Sequence, residues 1–246
     1  RVDIDNANTS ASTLAKRVKK VASLAGTTVA SQRRFYEPPT VALFQDDGGV
    51  LFAGVGIGSG YRSHPLNEAT TDHFFVLYDY DVPKPDVLTS ATLQPTITLS
   101  SLAVANAEGA SSVDMTGKQG WYINFPDKGE KVITSGVFFQ NTLIFSSYVP
   151  SVEGGDACSP VIGRTKLYTA CVSGGALCKN SEEAIVVRDQ AVLGLGADPQ
   201  LIVLPDPNDP EKSNIGIITG TDVQQHGSGI SAGLRRTRWM EKVPRD

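Results

Sequence analysis

From Pro39 to Thr219 the chain repeats one pattern. Short runs of β-branched and aromatic residues end in turn signals built on Gly, Asp or Asn. Such runs are too short and too regularly interrupted for helices, and they confine the chain to a sheet-based fold. About ten strands are expected: 39–45, 50–57, 73–80, 120–125, 131–139, 143–149, 165–172, 184–187, 201–204 and 215–219. Asp46-Asp47-Gly48-Gly49 and Gln140-Asn141 read as hairpin turns. The chain's 24 Gly and 14 Pro suit many turns and count against a helical bundle.

One segment carries a helical period. Leu14, Val18, Val21 and Leu24 recur at helix spacing, with Lys16, Arg17, Lys19 and Lys20 between them and Gly26 as a stop. A short helix over 12–24 is expected, its basic face open to solvent or to an anionic partner. Ser100–Gly117 and Pro205–Asn214 read as long polar loops.

The fold class is therefore all-β. Among sandwich, barrel and propeller, the segment spacing favours a β-propeller, since a blade of four strands takes about 40–50 residues. The expected organisation is one domain over 1–246. Residues 1–32 form a lead-in strand and helix, 33–234 roughly four blades, and 235–246 a tail with a basic cluster at Arg235, Arg236 and Arg238. The chain begins in a strand pattern and is read as the C-terminal part of a propeller in a longer protein. No signal peptide and no run of about 18 apolar residues is present.

Charge and motifs narrow the function. The chain has 22 Lys and Arg against 26 Asp and Glu, a net charge of −4, which argues against nucleic acid as a partner. His64, His73 and His226 are scattered rather than spaced as metal ligands. The Gly54–Gly60 run lacks the Gly-Lys-Ser/Thr of a phosphate loop, and no Ser sits in a Gly-x-Ser-x-Gly elbow. Two acidic stretches are weak metal candidates: Asp3 with Asp5, and Asp206 with Asn208 and Asp209. Neither completes a known calcium loop. Cys171 and Cys178 are the expected disulfide if a hairpin turn separates them, with Cys158 the competitor.

Several blocks resemble, in order and spacing, the C-terminal β-propeller domain of the PilY-type type IV pilus assembly and adhesion proteins. They are Arg33-Arg34-Phe35-Tyr36-Glu37-Pro38-Pro39; Gly58-Ser59-Gly60-Tyr61-Arg62-Ser63-His64-Pro65-Leu66, the most specific; Asp72-His73-Phe74-Phe75; Gly120-Trp121-Tyr122-Ile123; and Gly129-Glu130-Lys131-Val132. The resemblance is clear from about residue 33 to 173. It implies a non-enzymatic factor on a bacterial cell surface or pilus tip, exported through the periplasm. Such a factor acts with minor pilins in pilus extension, adhesion and twitching motility. Its surface receptor is left open. Arg33, Arg34, Gly58, Ser59, Gly60, Tyr61, Arg62, His64, Pro65 and Trp121 are then structural residues of the family motifs. No cofactor is expected, and calcium, where the family uses it, is expected outside this segment. The competing readings are a propeller enzyme of the quinone-dehydrogenase type and a purely structural scaffold.

Overall fold

The structure is a computed structural model. It describes residues 1–5, 7, 10, 12, 14–46, 48–84, 88–89, 92–106, 113–139, 141–150, 163–173, 185–206, 209–220 and 222–225. Its strands in chain order are β1 (Val2–Ile4), β2 (Ala15–Val18), β3 (Ala22–Ser23), β4 (Thr40–Gln45), β5 (Leu51–Gly58), β6 (His73–Asp79), β7 (Ile97–Thr98) and β8 (Ala103–Asn106). They continue with β9 (Gly120–Asn124), β10 (Val137–Phe139), β11 (Thr142–Val149), β12 (Arg164–Cys171), β13 (Ile185–Leu193), β14 (Gln200–Asp206), β15 (Asp209–Thr219) and β16 (Asp222–Gln225). The one helical element among the described residues is a 3-10 turn at Leu99–Ser101. The fold is all-β, as the strand pattern requires.

Two compact units divide the chain, Arg1–Pro199 and Gln200–Asp246. The first holds a five-stranded sheet in the order β4-β5-β6-β9-β8 and a four-stranded sheet β10-β11-β12-β13. It also holds two small pairs, β1-β2 and β3-β7. The second holds the sheet β14-β15-β16, whose inner residues Ile215 and Ile217 are buried. Where roughly four blades were expected, three sheets have three or more strands among the described residues.

The central strand β6 is buried along its whole length. Its sequence His-Phe-Phe-Val-Leu-Tyr-Asp is a continuous rather than alternating apolar run, which is what a strand covered on both faces needs. Phe74, Val76 and Tyr78 point into one core with Phe52, Trp121, Leu143, Phe145 and Tyr168. Phe75 and Leu77 point the other way, onto Leu24, Ile97 and Leu102. The first core joins the two large sheets through an aromatic stack. Phe145 lies 4.0 Å from Phe74 and 4.8 Å from Tyr168, nearly parallel to the latter at 5°. Trp121 is part of this core, and its Nε1 donates to the Val172 carbonyl at 2.9 Å.

Three expectations need correction. The helix over 12–24 does not form; β2 and β3 stand there. Its apolar residues share no buried face: Leu24 is buried, whereas Val18 is 77% exposed. Long-range ladders instead take up the backbone. Val2 pairs with Val18 and Ala22 with Ile97. A helix without an apolar face to bury gains little from propensity. Second, Pro205–Asn214 is mostly strand, because β14 and β15 run on into one hairpin that pairs Asp206 with Asp209. Third, the stretch read as a loop from Ser100 contains β8, which pairs in parallel with β9.

Smaller shifts have local causes. The strand expected over 131–139 is reduced to β10, with an isolated bridge between Lys131 and Tyr148. There the Thr134 hydroxyl donates to the Ser146 carbonyl at 3.0 Å in place of a ladder bond. The turn at 46–49 is a hairpin as expected. Gly49 takes φ +80, and the Asp46 carboxylate accepts from Gly48 and Val50 N–H groups. Among the described residues no helix is long and apolar enough to cross a membrane.

Candidate functional site

Of the motif residues, Arg33, Arg34 and the Gly58–Pro65 block converge where β5 leaves its sheet, whereas Trp121 lies in the first core. Gly58 closes β5, and Ser59, Gly60 and Tyr61 carry the chain out into a surface turn. The exit is tight. A Cβ on Gly58 would run into the Val132 side chain, and one on Gly60 into the Val132 carbonyl oxygen. The same closeness makes the hydrogen bonds that fix the exit: Gly60 N–H to Arg34 O and Val132 N–H to Ser59 O, both 2.9 Å. Glycine is needed here for close backbone approach, not for an unusual dihedral.

Beneath the turn lies a polar cluster of buried Ser59, Asp72 and His73 with half-buried Arg33, and Lys131 beside it. The Ser59 hydroxyl donates to Asp72 Oδ1 at 2.8 Å and accepts from the His73 main-chain N–H at 3.0 Å. Its hydrogen-bonding capacity is therefore spent on a carboxylate and a main-chain group, and the His73 ring is not among its partners. The His73 ring is engaged elsewhere, since Arg33 Nη2 meets Nε2 at 2.9 Å. A guanidinium only donates, so Nε2 accepts and the imidazole is neutral with its proton on Nδ1. Burial first, and the Arg33 charge second, bring the His73 pKa down to about 4, against a smaller opposing pull from the Ile123 backbone. Burial raises the Asp72 carboxyl above its ordinary value, against its Ser59 bond and the charges of Lys131, Arg33 and Arg34. Arg33 also donates to the carbonyls of Thr71 and Leu24, so it ties three segments together.

Lys131 is almost fully buried, at 1% exposure. Its ammonium donates to three main-chain carbonyls: Pro65 at 2.8 Å, Asn67 at 2.7 Å and Gly129 at 2.5 Å. Three donors meet three acceptors, so the charge is solvated by the loop it holds. Burial lowers its pKa, with Asp72 and Glu68 opposing. The loop from Tyr61 to Ala69 thus rests on one side chain, with turns at His64 N–H to Tyr61 O and Asn67 N–H to His64 O.

Above this base the loop is a basic and aromatic surface. The Arg34 guanidinium carbon lies 3.5 Å from the centre of the Tyr61 ring. His64 meets the same ring edge-on at 5.8 Å. Arg62 pairs with Glu37, and Lys128 with Glu68. Arg34, Arg62 and His64 are exposed.

The remaining candidates fall elsewhere. Asp3 sits on β1 and accepts from Arg1 Nε at 2.7 Å. Asp5 caps the Ala7 N–H at 3.1 Å. No group of three or more metal-ligating side chains occurs among the described residues. Asp206 and Asp209 pair across a hairpin; Asn208 lies outside the described residues. Cys171 is in a disulfide; Cys158, Cys178, His226 and the Arg235–Arg238 cluster lie outside the described residues. An open cleft of about 190 Å³ is lined by Asp46, Tyr80, Met115, Lys118 and Ser173. Its Asp46 carboxylate is used by the hairpin and by Tyr80. Residue types alone missed the roles of Lys131 and Glu37, because each acts on a segment distant in sequence.

No family model matches the chain, and no curated protein matches it. Among solved structures it is similar to the C-terminal domain of PilY1 from Pseudomonas aeruginosa. The identity is 14% and the TM-score 0.53, over 82% of this chain and 47% of that one. The likeness shows a shared fold, and the chain spans about half the length of that structure.

Proposed function

We propose that this chain is a non-enzymatic, pilus-associated recognition domain of a bacterial cell-surface protein. It supports type IV pilus assembly and surface adhesion, and it works outside the cell with minor pilins. The observation that carries this reading is the Tyr61–Ala69 loop: an exposed basic and aromatic surface mounted on a buried polar base and clamped by Lys131. Binding surfaces are commonly loops positioned by a rigid scaffold. The fold likeness to the PilY1 C-terminal domain supports the pilus context. The Arg33–Pro39, Gly58–Leu66, Asp72–Phe75 and Gly129–Val132 blocks that resemble the PilY-type family supply residues of this loop and its base, whereas Gly120–Ile123 lies in β9. Within the cluster, Ser59 and His73 are committed to structural bonds, which favours recognition over turnover.

Deletion of the encoding gene tests this. Piliation, twitching and attachment are expected to fall and to be restored by the wild-type gene. Normal values for all three would overturn the reading. A pull-down with the secreted protein is expected to recover minor pilins.

A further inference from the structure

Arg33 and Arg34 are neighbours in sequence and opposites in use. Arg33 spends its donors on Thr71, Leu24 and His73. Arg34 is exposed, and its side chain stacks on the Tyr61 ring with no hydrogen bond or ion pair to another side chain among the described residues. A guanidinium centre only 3.5 Å from the ring centre has to lie flat on it, because an edge-on approach would drive its nitrogens into the ring. Flat stacking fixes the plane and leaves the in-plane N–H fork pointing past the ring. His64 packs perpendicular to the Tyr61 ring, and the Lys131 clamp holds the loop. The fork is therefore oriented before any ligand arrives, which reduces the ordering cost of binding.

We propose that the Arg34–Tyr61 pair is a docking point for a carboxylate on a protein partner, an Asp, a Glu or a chain terminus, held bidentately. This rests on the recognition reading above and names the ligand chemistry of that site. A planar fork matches a carboxylate in geometry and charge. Arg62 adds a second cation, already balanced by Glu37, whereas Arg34 acts on buried Asp72 only at a distance and makes no ion pair among the described residues. A peptide fits better than a sugar. The Tyr61 face that would stack on a sugar ring is covered by Arg34, whereas exposed Tyr36 and Leu66 lie close in sequence to the fork. Tyr and Arg are the residue types enriched at the centres of protein interfaces.

The full chain is probed with an array of peptides carrying Asp or Glu and their Asn or Gln counterparts, and positives are measured by fluorescence anisotropy. Binding to acidic peptides is expected, weakened about tenfold or more by the amide counterparts and by Arg34→Ala. Arg34→Lys, which keeps the charge but loses the fork, is expected to behave like Arg34→Ala. Lys20→Ala, an exposed charge on another segment, is expected to bind as wild type. The proposal is overturned if no acidic peptide binds, if Arg34→Ala or Arg34→Lys binds as wild type, or if binding is confined to polygalacturonate or to phosphatidylglycerol vesicles. This binding measurement and the deletion phenotype fail independently.

Discussion

The Lys131 ammonium holds the carbonyl oxygens of Pro65 and Asn67, residues more than sixty positions earlier, at 2.8 and 2.7 Å. Lys131→Met keeps the stem and removes the charge, leaving three carbonyls without their donor. A loss of about 2–4 kcal/mol is expected, read as a lower urea midpoint at unchanged slope. Limited proteolysis is expected to cut the variant within 61–69 faster than the wild type. Equal midpoints and equal cutting would show that the loop stands without the clamp.

His73 is neutral in the folded protein because it is buried beside Arg33. Its imidazole is expected to titrate near pH 4 by NMR. The unfolded chain takes up that proton near the ordinary value of about 6.5, so it binds more protons than the folded one between the two. Stability attributable to His73 is therefore full above about pH 6.5 and falls as the pH drops towards 4, by up to about 3 kcal/mol. Asp72, whose carboxyl is raised, contributes with the opposite sign. The test is thus the difference between wild type and His73→Asn in chemical denaturation across that range. Parallel pH profiles would remove His73 as the source.

Phe145 bridges the two large sheets between Phe74 and Tyr168. Phe145→Ala is expected to cost about 3–5 kcal/mol, through lost burial and the cavity left behind. In a double-mutant cycle with Phe74→Leu, a coupling of about 0.5–1.5 kcal/mol is expected. A coupling near zero would mean the stack adds nothing beyond its buried area.

Gly60 faces the Val132 carbonyl. Gly60→Ala is expected to destabilise by about 1–3 kcal/mol, because backbone rather than a flexible side chain must give way. Gly117, whose Cβ would meet nothing within 4 Å, is the comparison for space; its φ of +68 makes any cost there conformational. Thermal unfolding of Gly60→Ala and Gly117→Ala separates the two causes.

Much of the sheet framework was legible in the sequence, since β4, β5, β6, β9, β11 and β12 lie within a residue or two of the expected strands. Their signals are local: β-branched and aromatic runs bounded by turn residues. The helix expectation failed because Val18 and Leu24 obey helix spacing while their partners, Val2 and the second core, lie far along the chain. β8 was hidden for the same reason, as a parallel neighbour leaves no hairpin signal. In the site, the Gly58–Pro65 block stood out by residue type. The clamp did not, since a lone Lys at 131 carries no mark of the three carbonyls it will meet.

The two parallel pairs, β3 with β7 and β8 with β9, also set a sequence in time. Hairpins such as β4-β5 and β10-β11 close short loops and are expected to form early. Ala22 finds Ile97 only after the whole stretch containing β4, β5 and β6 has been placed. The Phe75 and Leu77 face is therefore the last of β6 to be covered. Until then a nascent chain presents an uncovered aromatic strand, the point at which a folding helper would hold it.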